Sequence, residues 1–171
     1  GIKIYSLQYR LSPENKFPIA LGDAKNAYLR IMQEYANEKI ILCGDSAGAH
    51  LAAALSYDLC ESNIPLPLAQ ILIYPMVCPS LNYESMELYK ENFLLTKSSM
   101  QWFWQQLRLS EVDDHNPRFN LLKQEKGKES NVKTMIVTAG FDPLHDEGIA
   151  YADMLEKNGN EVLRLHFEKL I

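Results

Sequence analysis

Gly44-Asp45-Ser46-Ala47-Gly48 stands between a short apolar run, Ile40-Ile41-Leu42-Cys43, and a helix-like run from Ala49 to Leu59. A G-x-S-x-G pentapeptide alone arises by chance in roughly one chain in twenty of this length at background glycine and serine frequencies. Its flanks make it informative. A strand entering and a helix leaving such a pentapeptide force a sharp turn at the serine, lifting its hydroxyl above the sheet edge and aiming the free N–H groups of the helix at the same point. That geometry suits a nucleophilic serine, with the backbone N–H of Ala47 as one donor to a developing oxyanion. The competing reading makes Ser46 a helix N-cap and nothing more.

The rest of the chain repeats the strand-then-helix order. Ile2 to Tyr9 alternates and is rich in β-formers, which predicts a strand. After two prolines, Ala20, Ala24, Ala27, Tyr28, Ile31, Met32 and Tyr35 recur on one helical face. Lys39 to Cys43 reads as a parallel strand buried on both faces, Ser46 to Leu59 as a helix, Leu68 to Tyr74 as the next strand and Thr96 to Leu109 as a tryptophan-bearing helix. Lys133 to Ala139 is a strand. Asp146 to Lys157 is a helix closed by Asn158-Gly159, and Glu161 to Phe167 alternates as a final strand. About five strands alternating with helices predict an α/β fold with a mostly parallel sheet flanked by helices, in a single domain. Two stretches interrupt the alternation. Residues 76–109 open with an apolar segment too rich for a linker and are read as a cap over a pocket, whereas 110–131, with its charged run from Lys123 to Glu129, is read as a solvated loop.

Composition narrows the partners. The chain has 171 residues with a net charge of -5, and its 17 basic residues form no Lys/Arg run, which argues against nucleic acid. Its longest apolar stretches fall short of the ~18 to 20 residues of a membrane span, and no leader-like pattern opens it. Cys43, Cys60 and Cys78 form no CxxC pair and are odd in number, so a disulfide framework is not expected and a cytoplasmic setting fits. The cysteines and the four histidines lack metal-ligand spacing; no metal or organic cofactor is implied. Both termini interrupt strand-like runs, so the chain is expected to be cut at both ends, as part of a longer protein or as the product of a truncated reading frame.

Further segments resemble the hormone-sensitive-lipase-like branch of the α/β-hydrolase family, which includes many short-chain acyl esterases. Tyr9-Arg10-Leu11-Ser12-Pro13-Glu14 resembles that family's Y-R-L-A-P-E segment, followed by Phe17-Pro18-Ile19-Ala20-Leu21 and Asp23-Ala24. Ile73-Tyr74-Pro75 resembles the strand end after the elbow, and Asn92, Leu95-Thr96 and Met100-Gln101-Trp102-Phe103-Trp104 resemble the cap helix. Thr138 to Gly148 resembles the acid loop. The resemblance implies an ester hydrolase with a Ser-His-Asp triad, acting on small-molecule esters as a monomer or homodimer. It implies Ser46 as nucleophile and Asp142 as the acid, at the carboxyl end of a strand where the ligand crevice of an open α/β sheet lies. Asp146 is the alternative acid, or a helix cap. Asp45 and His50 are read as structural.

The resemblance places the histidine base in an H-G-F segment just beyond Ile171. His166, His145 and His115 are the remaining candidates, His166 inside a strand and the others on loops. The family's second oxyanion segment, H-G-G-G, occurs nowhere in the 171 residues. Residues 1–171 by themselves are therefore expected to hydrolyse esters weakly or not at all. A binding protein on the same fold with a broken triad is the competing function. A Rossmann or flavodoxin-like protein is disfavoured, because Arg10-Leu11-Ser12-Pro13 replaces the glycine-rich loop after the first strand.

Overall fold

The computed structural model describes residues 1–36, 38–124 and 132–171. Helix α1 spans Ile19–Glu34, strand β1 Ile41–Asp45, α2 Ala47–Glu61 and β2 Ala69–Ile73. Short α3 (Glu84–Leu88), α4 (Lys97–Leu107) and two 3-10 turns (Glu111–His115 and Leu121–Lys123) follow, then β3 (Lys133–Ala139), α5 (His145–Lys157) and β4 (Val162–Phe167). The four strands form one parallel sheet in the order β1-β2-β3-β4. Neighbouring parallel strands need crossovers, and α2 and α5 supply two of them.

Register sorts the side chains into two faces. Leu42, Gln70, Thr134 and Val162 lie in one row, and Gly44, Leu72, Ile136 and Arg164 in the next row of the same face. Here α2 and α5 pack: Ser56 of α2 donates to Gln70 Oε1 (2.8 Å), and Gln70 Nε2 donates to Thr134 Oγ1 (2.9 Å), so the buried amide is paired on both sides. The opposite face carries Ile41, Cys43, Ile71, Met135, Val137, Leu163, Leu165 and Phe167, all exposed or half-buried. The expectation that β1 is buried on both faces is thus corrected. Within residues 1–171 the burial of β1 comes from the α2 side, and Ile41 on the other side is 51% exposed.

Ile2 to Tyr9 is not a strand, so the described sheet has four strands and not five. Alternation reports a local preference, but a strand exists only where a neighbour completes its ladder, and residues 1–11 have none. They are held instead from α1 and the Tyr35 that caps its end, by Lys3 over the Tyr35 ring, Tyr5 Oη donating to Tyr35 Oη (2.6 Å) and Arg10 paired with Asp23 of α1. The helices follow the sequence closely. Thr96 caps α4 in a reciprocal box with Ser99, and Gly159 (φ 92°) closes α5, with Asn160 N–H reaching back to Leu155.

The stretch 110–124 is not the solvated loop its polarity suggests. Phe119 and Leu121 are fully buried; Phe119 packs on Trp104 and Phe17, while Arg118 and Lys25 both pair with Asp58 of α2. Two apolar anchors among charged residues are enough to dock it, a signal that average polarity hides. Most of the charged run, residues 125–131, lies outside the described residues. Residues 76–109 contribute Met76, Val77, Cys78, Leu81, Met86, Met100 and Trp104 to the core. No helix among the described residues is long and apolar enough to cross a membrane.

Candidate active site

Ser46 sits at the junction of β1 and α2 with φ 50° and ψ -117°, a backbone region that L-residues occupy at a cost of about 1–3 kcal/mol. The surrounding bonds hold it there. Its N–H donates to Ile73 C=O (2.9 Å), extending the β1 ladder by one residue, while its own C=O accepts from His50 N–H (3.0 Å) and Met76 N–H (3.3 Å). Ser46 occupies the N-cap position of α2, yet its hydroxyl makes no cap hydrogen bond.

The two glycines of the pentapeptide differ. A Cβ on Gly44 would lie 2.3 Å from both the carbonyl carbon and oxygen of Gly48, so strand and helix touch backbone to backbone there. A Cβ on Gly48 would meet nothing closer than Asp45 Oδ1 at 4.0 Å. Of the two, only Gly44 is crowded. Asp45 is exposed at the end of β1, and Ala47, the first residue of α2, is exposed at the same edge with its N–H in the unpaired first turn of the helix.

Asp142 lies beyond the carboxyl end of β3, two strands from Ser46 and at the same edge of the sheet, since Asp45, Ile73 and Val137 are in register. It is buried, at 8% exposure, and its Oδ1 accepts from Leu144 N–H (2.9 Å). Burial pushes its carboxyl above the ordinary range, partly offset by that N–H and by neighbouring His145. The loop is tied to the chain after β4 by Gly140 N–H to Phe167 C=O and Phe141 N–H to Leu170 C=O, both 3.0 Å. A side chain on Gly140 would run into the Glu168 carbonyl.

Asp146 caps a helix, although not its own. It lies inside α5, and its Oδ2 accepts from Ser85 N–H (2.8 Å) in the first turn of α3; Ser85 Oγ donates to Pro143 C=O (2.8 Å). Desolvation works against its ionised form, but the Ser85 bonds and His145 outweigh it and lower its pKa. With its oxygens engaged by α3 and His145, Asp146 braces the loop that carries Asp142.

The histidines divide. His50 is buried in α2 with Nδ1 3.0 Å from Met76 C=O and its ring edge-on to Trp104; burial depresses its pKa to about 4, so it is neutral at pH 7. His166 lies on β4 opposite Thr138, with Nδ1 3.0 Å from Thr138 Oγ1, and its ring centroid is 4.8 Å from that of His145. His145 Nδ1 faces Asp146 Oδ1 at 2.9 Å, and His115 is exposed at the end of a 3-10 turn. Among the described residues no histidine is hydrogen-bonded to Ser46 Oγ or to the Asp142 carboxylate.

Sequence reading missed Glu147. A glutamate in the first turn of a helix is ordinarily a solvated side chain, yet this one is fully buried, with Oε1 2.6 Å from the Val77 N–H that donates to it. Burial pushes its pKa up to about 8, opposed by the Val77 and Cys78 N–H groups and reinforced by Asp142. The one hint in the sequence is Gly148 beside it, which lets α5 close on Thr138 and Pro75.

Comparison with known proteins gives one family. The chain is 32% identical over 165 residues to the ethyl acetate hydrolase of Pseudomonas putida, covering 93% of this chain and 52% of that protein. It is 37% identical over 172 residues to the carboxylic ester hydrolase LipN of Mycobacterium tuberculosis, with 94% and 46% covered. It is also 30% identical over 178 residues to the gibberellin receptor GID1A of Arabidopsis thaliana, with 97% and 51% covered. A solved fungal esterase from Rhizomucor miehei superposes with a TM-score of 0.86 at 29% identity, over 93% of this chain and 52% of that one. The chain therefore spans about half the length of the relatives it matches. The family model described as alpha/beta hydrolase fold matches residues 1–171, and the chain, with its strand, strained serine and helix at the sheet's carboxyl edge, belongs to that family.

Proposed function

We propose that this chain carries the nucleophile and the acid of a carboxylic ester hydrolase acting on short-chain acyl esters. Ser46 attacks the ester carbonyl, the Ala47 N–H donates to the oxyanion, and Asp142 orients the histidine that takes the serine proton and stabilises its charged form. In this reading that histidine follows Ile171, as the sequence resemblance implies, and residues 76–109 wall the acyl pocket. The observation that carries the proposal is the backbone of Ser46: a left-handed serine with an uncapping hydroxyl, at a junction where Gly44 permits backbone contact. The ester hydrolases among the relatives support the reaction class.

The test is turnover of p-nitrophenyl acetate, butyrate and octanoate by the protein expressed from its native reading frame. Hydrolysis should fall with acyl length, vanish in Ser46→Ala, and drop by about 10⁴ in Asp142→Asn if the acid sets the histidine tautomer. Turnover unaffected by Ser46→Ala would overturn it. The 30% identity to a gibberellin receptor favours a second reading, a small-molecule binding protein. Saturable binding of a small apolar acid without ester turnover would decide for it.

A further inference from the structure

Glu147 has no role in the proposed chemistry, yet its placement is costly. Among the described residues its fully buried carboxyl pairs with no cation; Oε1 takes the Val77 N–H, the neighbouring Cys78 N–H also favours the ionised form, and Oε2 makes no hydrogen bond of its own. A buried polar atom left unpaired is retained only where something else depends on it. The bonds around it show what that is. Val77 follows Met76, whose N–H donates to the Ser46 C=O and whose own C=O faces His50 Nδ1, so residues 76–77 are fastened to the elbow. On its other side Glu147 belongs to the first turn of α5, whose first N–H, that of His145, donates to the Asp142 C=O (3.0 Å). One carboxyl thus lies between the segment bound to Ser46 and the helix bound to Asp142, two groups 96 positions apart in the sequence.

We propose that Glu147 is a positioning residue, which locks the segment behind Ser46 and the helix behind Asp142 into one frame through its bond to the Val77 amide. The proposal rests on the reading of Ser46 and Asp142 as nucleophile and acid. Glu147→Gln keeps the carbonyl acceptor in nearly the same shape. Glu147→Leu removes the acceptor and strands the Val77 N–H, and Glu147→Asp pulls it one methylene short with less change to the core.

Two readouts are compared across these variants in the protein expressed from its native reading frame. In p-nitrophenyl acetate hydrolysis, Glu147→Gln should stay within about threefold of the parent kcat, while Glu147→Leu and Glu147→Asp should lose about 10²-fold in kcat with little change in KM, the scale of an ångström misplacement. In amide hydrogen exchange, the latter two should speed exchange at Met76 to Cys78 and at Leu144 and His145 together by tenfold or more, with Glu147→Gln unchanged. A parental kcat in Glu147→Asp, or faster exchange confined to residues 76–78, overturns the proposal. If Glu147→Leu does not fold, Glu147→Asp decides alone. If no variant or parent turns over ester, the functional reading fails, and the exchange pattern still decides whether Glu147 couples the two segments.

Discussion

Replacing Ser46 by alanine and by glycine separates its backbone from its hydroxyl. Both substitutions remove the hydroxyl, but alanine keeps a Cβ in the φ 50°, ψ -117° conformation, whereas glycine occupies that region freely. The strain relieved in glycine is about 1–3 kcal/mol. Against it stands the greater freedom of an unfolded glycine, about 0.4–1 kcal/mol. The difference leaves Ser46→Gly more stable than Ser46→Ala by roughly 1 kcal/mol, or about 2–4 °C in a chain of this size. Urea titrations followed by circular dichroism measure it, with equal m-values as the check that both unfold alike. The comparison with alanine matters, because each variant has already lost the hydroxyl and any bond it makes. A Ser46→Gly midpoint at or below that of Ser46→Ala would refute the claim that the fold holds this residue under strain.

The glycines beside Ser46 should respond oppositely. Gly44→Ala pushes a methyl more than 1 Å inside ordinary contact with the Gly48 backbone and should cost about 1–3 kcal/mol, while Gly48→Ala has room and gains up to about 1 kcal/mol of helix propensity, both read from denaturant midpoints. For Glu147, a carboxyl whose folded pKa of about 8 exceeds its ordinary value, the folded state holds the proton longer than the unfolded one, so stability is lost as pH rises from about 4.5 to about 8. With Asp142, Cys78 and Tyr83 as the titratable neighbours, that loss should approach 1.4 kcal/mol per pH unit, and Glu147→Gln should abolish it; parallel pH curves for the two proteins would contradict this. The uncovered sheet face predicts that the 171-residue chain binds anilinonaphthalene sulfonate and self-associates with rising concentration in sedimentation velocity, and that Leu163→Lys with Leu165→Lys reduces both.

Much of this architecture is legible in the sequence because helices and paired strands write local signals. The capping box at Thr96, the glycine closing α5 and the apolar run of β3 each locate an element to within a residue or two. Ile2 to Tyr9 carries an equally clear β pattern and forms no strand, because pairing is a property of the neighbour and not of the segment. The same limit applies at the site. Gly44 and Ser46 were recognisable because backbone strain and close approach demand particular residue types. Glu147 and Gln70 are not, since a buried polar side chain is chosen by a distant partner, Val77 and Thr134 respectively, and nothing near it in the chain reports that choice.

The central claim is that Ser46 is a nucleophile. Incubating the protein expressed from its native reading frame with a fluorophosphonate and mapping the adduct by peptide mass spectrometry tests it directly. The account predicts a single adduct on Ser46 Oγ, absent in Ser46→Ala and formed orders of magnitude more slowly in Asp142→Asn. An unmodified Ser46, or an adduct that survives Ser46→Ala, would contradict it.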